Sequence, residues 1–221
     1  MASTATGCLA EKSSADVIIQ IAKPVLRQKK LFLVTKRVFD IVCSFLGLLI
    51  LAIPMMIIAL IITIDSPGAP IFKQERLGLH GKPFMIYKFR SMRLDAEVNG
   101  PQWADEQDPR CTHFGQILRR TRLDELPQFY NILRGDMSFV GPRPERAYFY
   151  GEFEKYIPGF SNRLIVVPGL TGYAQVNGGY SLKPEEKIIY DMEYIEHRSV
   201  LMDVKCIIKT VSLIFTHEGA R

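Results

Sequence analysis

The sequence predicts a helix-rich, mixed α/β fold: a compact membrane-associated domain carried on a kinked N-terminal hydrophobic helix. Three observations predict it. The stretch "IVCSFLGLLILAIPMMIIALIITI" (41–64) runs for 24 residues without a charge and is interrupted by Pro54. The stretch "PIFKQERLGLHGKPFMIYKFRSM" (70–92) carries the β-prone alternation and turn residues of a hairpin. Most of the chain beyond residue 92 consists of segments with helix start and stop signals.

Composition sets the outer limits. A chain of 221 residues holds one ordinary domain, or a smaller one with an appendage. Cys8, Cys43, Cys111 and Cys206 show no CxxC or Cys/His spacing, and Cys43 lies inside the apolar run. That argues against a disulfide framework or a zinc site and fits a reducing cytoplasm. A net charge of +5 points to anionic partners: lipid headgroups, nucleotide phosphates or nucleic acid.

Taken in order, the chain opens with a mixed leader, residues 1–35, helix-prone from Ala15 to Leu33. The apolar run begins too late, and is followed by the wrong residues (Ile64-Asp65-Ser66-Pro67), to be a cleaved signal. As a helix it would measure about 36 Å, enough for a hydrocarbon core of about 30 Å. Two features oppose a simple crossing. Pro54 has no N–H for the Ile50 carbonyl, a loss of roughly 3 kcal/mol in a helix interior. The flanks are also evenly basic. Seven Lys and Arg residues precede the run, from Lys12 to Arg37, and six follow it, from Lys73 to Arg93. A single crossing normally shows a bias. A helix bent at Pro54, with both ends on the cytoplasmic face, and a kinked span both fit the residues.

Beyond the run, Phe72–Arg76 and Phe84–Phe89 are the hairpin strands and "GLHGKP" (78–83) is the turn. Asp95 to Asp108 reads as a surface loop, and His113 to Arg122 as a short basic helix. "ELPQFYNILRG" is a second helix, with Asp124 as N-cap, Pro127 in the first turn and Gly135 as its stop. "PGLTGYAQVNGG" (168–179) is loop and short strand, and 183–199 is a helix opened by proline and acids. In 200–215 the apolar positions 201, 204, 207, 208, 211, 214 and 215 form one stripe. Core is the commoner fate of such a stripe, and a membrane face the alternative.

The chemistry concentrates in "TRLDELPQFYNILRGDMSFVGPRPE" (121–145). Asp124 and Glu125 follow directly on Arg119, Arg120 and Arg122. An acid pair at a helix start often only caps and complements the dipole, and an arginine cluster is often a solvated face. Arg143 changes that balance, because Pro142 and Pro144 hold it in a defined place. An arginine fork suits phosphate oxygens. Carboxylates beside arginines are expected to resist protonation and serve as nucleophile or metal ligand. A carboxylate attacking phosphorus is established covalent chemistry, and Mg²⁺ between carboxylate and phosphates neutralises developing charge. Together these residues point to diphosphate chemistry at a membrane surface.

"KRVFDI", "GLHGKPFMIYKFRSM", "RLDELPQFYNILRGDMSFVGPRPE", "VPGLTGYAQVNG" and "LMDVK" occur in matching order between Lys36 and Phe215. With them the chain resembles the bacterial sugar transferase family, the monotopic phosphoglycosyl transferases that begin lipid-linked glycan assembly. With no multi-span bundle ahead of the run, the resemblance is to the small, catalytic-domain-only members. It implies a leader of unknown role (1–35), a re-entrant membrane helix kinked at Pro54 (36–64) and a cytoplasmic catalytic domain (65–221) at the bacterial cytoplasmic membrane.

The resemblance also implies a reaction. A UDP-sugar gives its sugar phosphate to polyprenyl (undecaprenyl) phosphate and releases UMP, as the first membrane step of exopolysaccharide, capsule or glycoprotein glycan assembly. Asp124 is implied as the nucleophile that becomes an aspartyl-phosphosugar, with Glu125 as its dyad partner and Mg²⁺, held by Asp124, as cofactor. Lys88, Arg119 and Arg143 are implied as phosphate-binding residues, and Asp191 and Asp203 as further active-site carboxylates. Many relatives have Ser-Pro at the kink where this chain has Ile53-Pro54, so no hydroxyl serves the freed backbone there.

Two other classes compete on charge alone. A membrane-tethered nucleic-acid-binding module needs a basic recognition helix or an aromatic platform. The helix around Arg119 to Arg122 is too short and runs into acids. A non-catalytic scaffold anchored by 41–64 gives no reason to confine Arg143 between prolines.

Overall fold

The computed structural model describes residues 21–26, 30–98, 100, 108–178 and 182–216. It opens with an irregular segment, not with the expected helix. Ile21–Leu26 is coil, and Lys23 precedes Pro24, which disfavours helical geometry. The Ile21 N–H instead donates to the Pro158 carbonyl at 2.8 Å, and its carbonyl accepts from Asn162 at 3.2 Å. The leader's other predicted helical positions before Lys30 lie outside the described residues.

The hydrophobic region is two helices, α1 (Lys30–Ile50) and α2 (Ala52–Asp65), bent by 61°. The break falls at Leu51, three residues before the expected kink. The proline ring clashes with the carbonyl four residues back, Ile50, so the chain yields just after it. Pro54 then sits in the first turn of α2, where no helical N–H is required. Among the described residues no single helix is long and apolar enough to cross a membrane; the bent pair has the length and composition.

Charged residues near the start of α1 tie it to the domain. Arg37 donates to the Ile132 and Leu133 carbonyls at 2.6 and 2.8 Å. These belong to α4 (Gln128–Arg134), whose C-terminal dipole favours a cation. Buried Asp40 accepts from the Phe139 N–H at 3.0 Å. Lys36 pairs with Asp203 at 2.6 Å. "KRVFDI" is thus a set of anchors.

The hairpin stands as predicted, slightly extended. β1 (Ile71–Leu77) and β2 (Pro83–Phe89) pair antiparallel with Ile71 opposite Phe89. Helix α3 (His113–Arg120) is capped by Thr112, whose hydroxyl accepts from the Gly115 N–H at 3.0 Å. It packs Leu118 against Phe89 and against Ile58 and Ile62 of α2. A second, parallel pair joins β3 (Ser138–Val140) to β4 (Gly169–Thr171). Glycine is required beside it: a Cβ on Gly141 would lie 2.5 Å from the Val167 carbonyl oxygen. Helices α5 (Ala147–Glu154) and α6 (Tyr173–Gly178), and the 3₁₀ turn Phe160–Ile165, were not anticipated.

The last two helices are α7 (Pro184–His197) and α8 (Val200–Thr216). The stripe on α8 departs from the core expectation. Its core contacts come from Cys206 with Met202 and Ile207, while Leu201, Val204, Ile208 and Val211 are exposed. The helix is buried through an edge centred on Asp203, Cys206 and Thr210, with Ile207 beside it, which leaves the rest of the described stripe outward. The side chains at 214 and 215 lie outside the described residues.

Candidate active site

Six elements reach one cavity among the described residues: β1, β2, α3, the turn Leu123–Glu125, α5 and α7. Asn131 of α4 stitches that helix to β2: its side chain accepts from the Tyr87 N–H at 3.0 Å and donates to the Met85 carbonyl at 2.7 Å. This places Lys88 opposite the turn Leu123–Glu125. The turn is entered through Arg122, whose φ of +58° is unusual for a side chain other than glycine. Left-handed geometry there costs about 1–3 kcal/mol and reverses the chain after α3, so that the next two acids point inward.

Asp124 is therefore no helix cap. It lies inside the 3₁₀ turn, and Pro127 occupies the N-cap position of α4 without a side-chain hydrogen bond. Pro127 has the right φ to start a helix, and it moves the cap three residues past Asp124. Asp124 and Glu125 are each only 8 % exposed.

The pair lines a cavity of about 500 Å³ with Lys88, Arg119, Arg122 and Arg143. Ten of its described lining residues are basic against four acids. Glu125 is clamped. Lys88 lies 3.2 Å from its Oε1, and the Arg143 fork reaches both oxygens, Nη1 at 3.5 Å from Oε2 and Nη2 on Oε1. Arg119 donates to Cys111 Sγ at 3.0 Å. The fold thus gathers Lys88, Arg119 and Arg143 around the acid pair, although Lys88 comes from a strand far ahead of it in the chain.

The two acids are electrostatically unlike, where both were expected to resist protonation. Burial raises Glu125, but Arg143 and Lys88 outweigh it and hold the carboxyl well below the usual range. Burial also raises Asp124, the Glu125 charge adds to it, and the cations compensate only in part; its carboxyl is pushed up to about 6. Burial lowers Lys88 from the usual amine range against the pull of Glu125.

Asp191 and Asp203 are not among the described lining residues. Asp191 is buried behind the wall, 2.7 Å from Arg163 Nε, and Arg163 Nη2 donates to the Arg143 carbonyl at 2.8 Å. Arg163 lies over the Phe160 ring at 4.8 Å. Asp203 accepts from the Tyr194 hydroxyl at 2.8 Å and from Lys36, locking α8 to α7 and α1.

Sequence reasoning missed Arg163, Arg76, Glu145 and Lys187. Glu145 lines the cavity and is held by Arg76 at 3.0 Å and Lys187 at 3.5 Å. A signal existed for Arg76. Phe72, Gln74 and Arg76 alternate along β1 and all line the cavity, as one face of a strand should. Arg163 carried none, because its partners are 20 and 28 residues away.

Among the described residues no three acids, histidines or cysteines form a metal cage. A hard divalent ion held by one carboxylate and a ligand's own phosphates needs no such cage, and Asp124 is placed for that arrangement.

The family model for bacterial sugar transferases matches residues 31–217. The chain is 42 % identical over 189 residues to a UDP-N-acetylgalactosamine-undecaprenyl-phosphate N-acetylgalactosaminephosphotransferase of Aeromonas hydrophila, covering 84 % of this chain and 45 % of the relative. It is 42 % identical over 190 residues to a UDP-glucose:undecaprenyl-phosphate glucose-1-phosphate transferase of Escherichia coli (strain K12), covering 84 % and 41 %. The chain thus spans less than half the length of these two. It is also 43 % identical over 188 residues to the exopolysaccharide production protein PSS of Rhizobium leguminosarum bv. phaseoli, covering 81 % and 94 %. With the family model matched over most of its length, the chain belongs to the bacterial sugar transferase family.

Proposed function

We propose that the protein transfers a sugar 1-phosphate from a UDP-sugar to polyprenyl phosphate, in two displacements at Asp124. The observation that carries this is the unequal acid pair: one carboxylate clamped by two cations, the other buried beside it in a basic cavity. The relatives' names, which couple undecaprenyl phosphate to sugar phosphotransfer, support the same substrate classes.

In the first displacement an Asp124 carboxylate oxygen attacks the β-phosphorus. The new O–P bond forms as the bond to the bridging oxygen breaks, and UMP leaves with that electron pair. Asp124 is poorly solvated, so little water must be stripped from it before it attacks. Arg143 and Lys88 hold the phosphate charge, with Glu125 fixing both cations in place. In the second displacement an oxygen of the lipid phosphate attacks the same phosphorus, and the Asp124 carboxylate is released. Mg²⁺, held by Asp124 and the donor's phosphates, supplies further neutralisation of the diphosphate when bound.

The chemistry sits at the headgroup plane of the bacterial cytoplasmic membrane, on its cytoplasmic face. Helices α1 and α2 form a re-entrant pair, and the exposed stripe of α8 (Leu201, Val204, Ile208, Val211) rests on the same surface. A nucleotide sugar from water and a lipid phosphate from the bilayer then reach Asp124 in turn.

The test is trapping. Full-length protein incubated with donor and no acceptor gains one sugar phosphate in mass, mapped to Asp124, and releases one equivalent of UMP. Turnover with intersecting initial-rate patterns and no adduct would mean that lipid phosphate attacks the donor directly. A panel of UDP-sugars in the same assay identifies the sugar.

A further inference from the structure

The wall of the cavity is joined physically to the end of the apolar helix pair. Arg90 lines the cavity, and its guanidinium donates to the Ser66 and Pro67 carbonyls where the chain leaves α2. A Cβ on Gly68 would lie 2.6 Å from Arg90 Nη1 and 3.2 Å from a Leu94 methyl, so Leu94 rests against that same exit. Leu94 and Arg93 both line the cavity, yet Leu94 is 72 % exposed. Leading up to this point, Ile53, Ile57, Ile61 and Ile64 are exposed on α2 at spacings of four, four and three, which is one helical face.

An apolar track therefore ends at a rim where a leucine and an arginine are neighbours. A nucleotide sugar has only its base face to bury against an exposed leucine, far less apolar surface than a hydrocarbon chain. An amphiphile with a phosphate head and a hydrocarbon tail gains from both. The only described counter-charge on Arg93 is a loose surface pair with Asp95 at 3.6 Å, and such pairs contribute little.

We propose that this rim is the acceptor subsite. A long-chain isoprenyl phosphate lays its chain along the exposed face of α2 and passes its first isoprene units over Leu94. Arg93 receives its phosphate at the mouth, and Arg119 draws it inward, while Arg90 fixes the rim to the end of α2. This rests on the reading of polyprenyl phosphate as acceptor, and it assigns the β2–α3 segment a role that the phosphate-binding residues near Asp124 do not fill.

Two-displacement kinetics make the test specific, because kcat/KM for each substrate reports its own half-reaction. Full-length wild type, Leu94→Asn and Arg93→Gln are compared in lipid nanodiscs, with vesicle flotation and thermal melting as parallel measurements. Each variant is expected to lose about tenfold in kcat/KM for polyprenyl phosphate. Donor kcat/KM, flotation and melting should stay as in wild type. Acceptor kcat/KM within about twofold of wild type in both variants overturns the subsite. So does a loss confined to the donor, which assigns the rim to the nucleotide sugar, or an equal loss for both, which assigns it to machinery the two half-reactions share. A fall in flotation that accounts for the whole loss makes the rim a bilayer contact instead. Loss of melting stability in both variants makes it structural. Should wild type transfer to no polyprenyl phosphate at all, the acceptor reading fails, an outcome distinct from a working enzyme with unaffected variants.

Discussion

Arg163 and Arg143 are held in series: Arg163 Nη2 donates to the Arg143 carbonyl at 2.8 Å, and the Arg143 guanidinium in turn grips Glu125. The far end of the series is Asp191, 2.7 Å from Arg163 Nε and almost without solvent contact. Helix α7 thereby positions a cation that faces the other side of the wall. Removing one partner of such a buried pair costs about 3–5 kcal/mol, whereas replacing both with apolar residues is often neutral. Asp191→Leu alone should lower the melting temperature steeply. The Asp191→Leu/Arg163→Met double variant should recover most of the stability and still turn over slowly, since the Arg143 carbonyl has lost its donor. Full activity in the double variant would reduce the series to packing.

Arg143 itself offers a test of the fork. Arg143→Lys keeps the charge but loses the two-oxygen grip on Glu125 and the planar match to phosphate. Activity should fall by about tenfold or more, mostly in kcat/KM for the donor. Near-normal rates would make Arg143 a turn residue held by its prolines.

How far the fold was legible depends on what each element rests on. The hairpin showed in the alternation of residues 72–76 and 84–89, and the end of α4 in Gly135, because both rest on local backbone rules. The acid pair and the Pro-Arg-Pro turn likewise announced the site. What failed turned either on competition between close neighbours or on partners far along the chain. The start of α4 moved because Pro127 competes with Asp124 for the cap. The hinge fell at Leu51 because the clash belongs to the carbonyl, not to the proline. Arg163 was invisible because a buried guanidinium is defined by Asp191 and the Arg143 carbonyl, and no periodicity links them. Stripe 201–211 showed as a pattern, but a pattern does not state which side is wet.

Membrane topology is tested by accessibility. In a cysteine-free background, Lys23→Cys and Lys82→Cys flank the bent pair and should both react with an impermeant thiol reagent only from the cytoplasmic side. Opposite accessibility would establish a spanning helix. Pro54→Ala returns a donor to the Ile50 carbonyl and removes the ring clash, so a fraction of molecules should straighten into spans.

The pH dependence follows from the raised Asp124. Attack requires the carboxylate, so kcat/KM for the donor should be flat above about 6 and fall tenfold per unit below it. Glu125→Gln removes a negative neighbour that raises Asp124 and leaves Lys88 and Arg143 uncompensated, both of which favour the charged form. The acid limb should therefore move to lower pH even as the maximal rate drops. A limb that stays in place would show that another group controls it.

Asp124→Asn separates the roles a buried acid can play. It is not a cap, so the variant should melt within about 1 kcal/mol of wild type or more stably, because a raised carboxyl is replaced by a neutral amide. An amide cannot form the acyl phosphate, so turnover should fall to background and the trapped adduct should vanish. If Asp124 served only as a metal ligand, activity would be partial and rise with added Mg²⁺. Exchange distinguishes the two without an acceptor: wild type should scramble labelled UMP into the UDP-sugar, because the first displacement is reversible. The Asn variant should not. Scrambling that persists in the variant would move the nucleophile elsewhere, and Glu125, locked between Lys88 and Arg143, is poorly placed to take over.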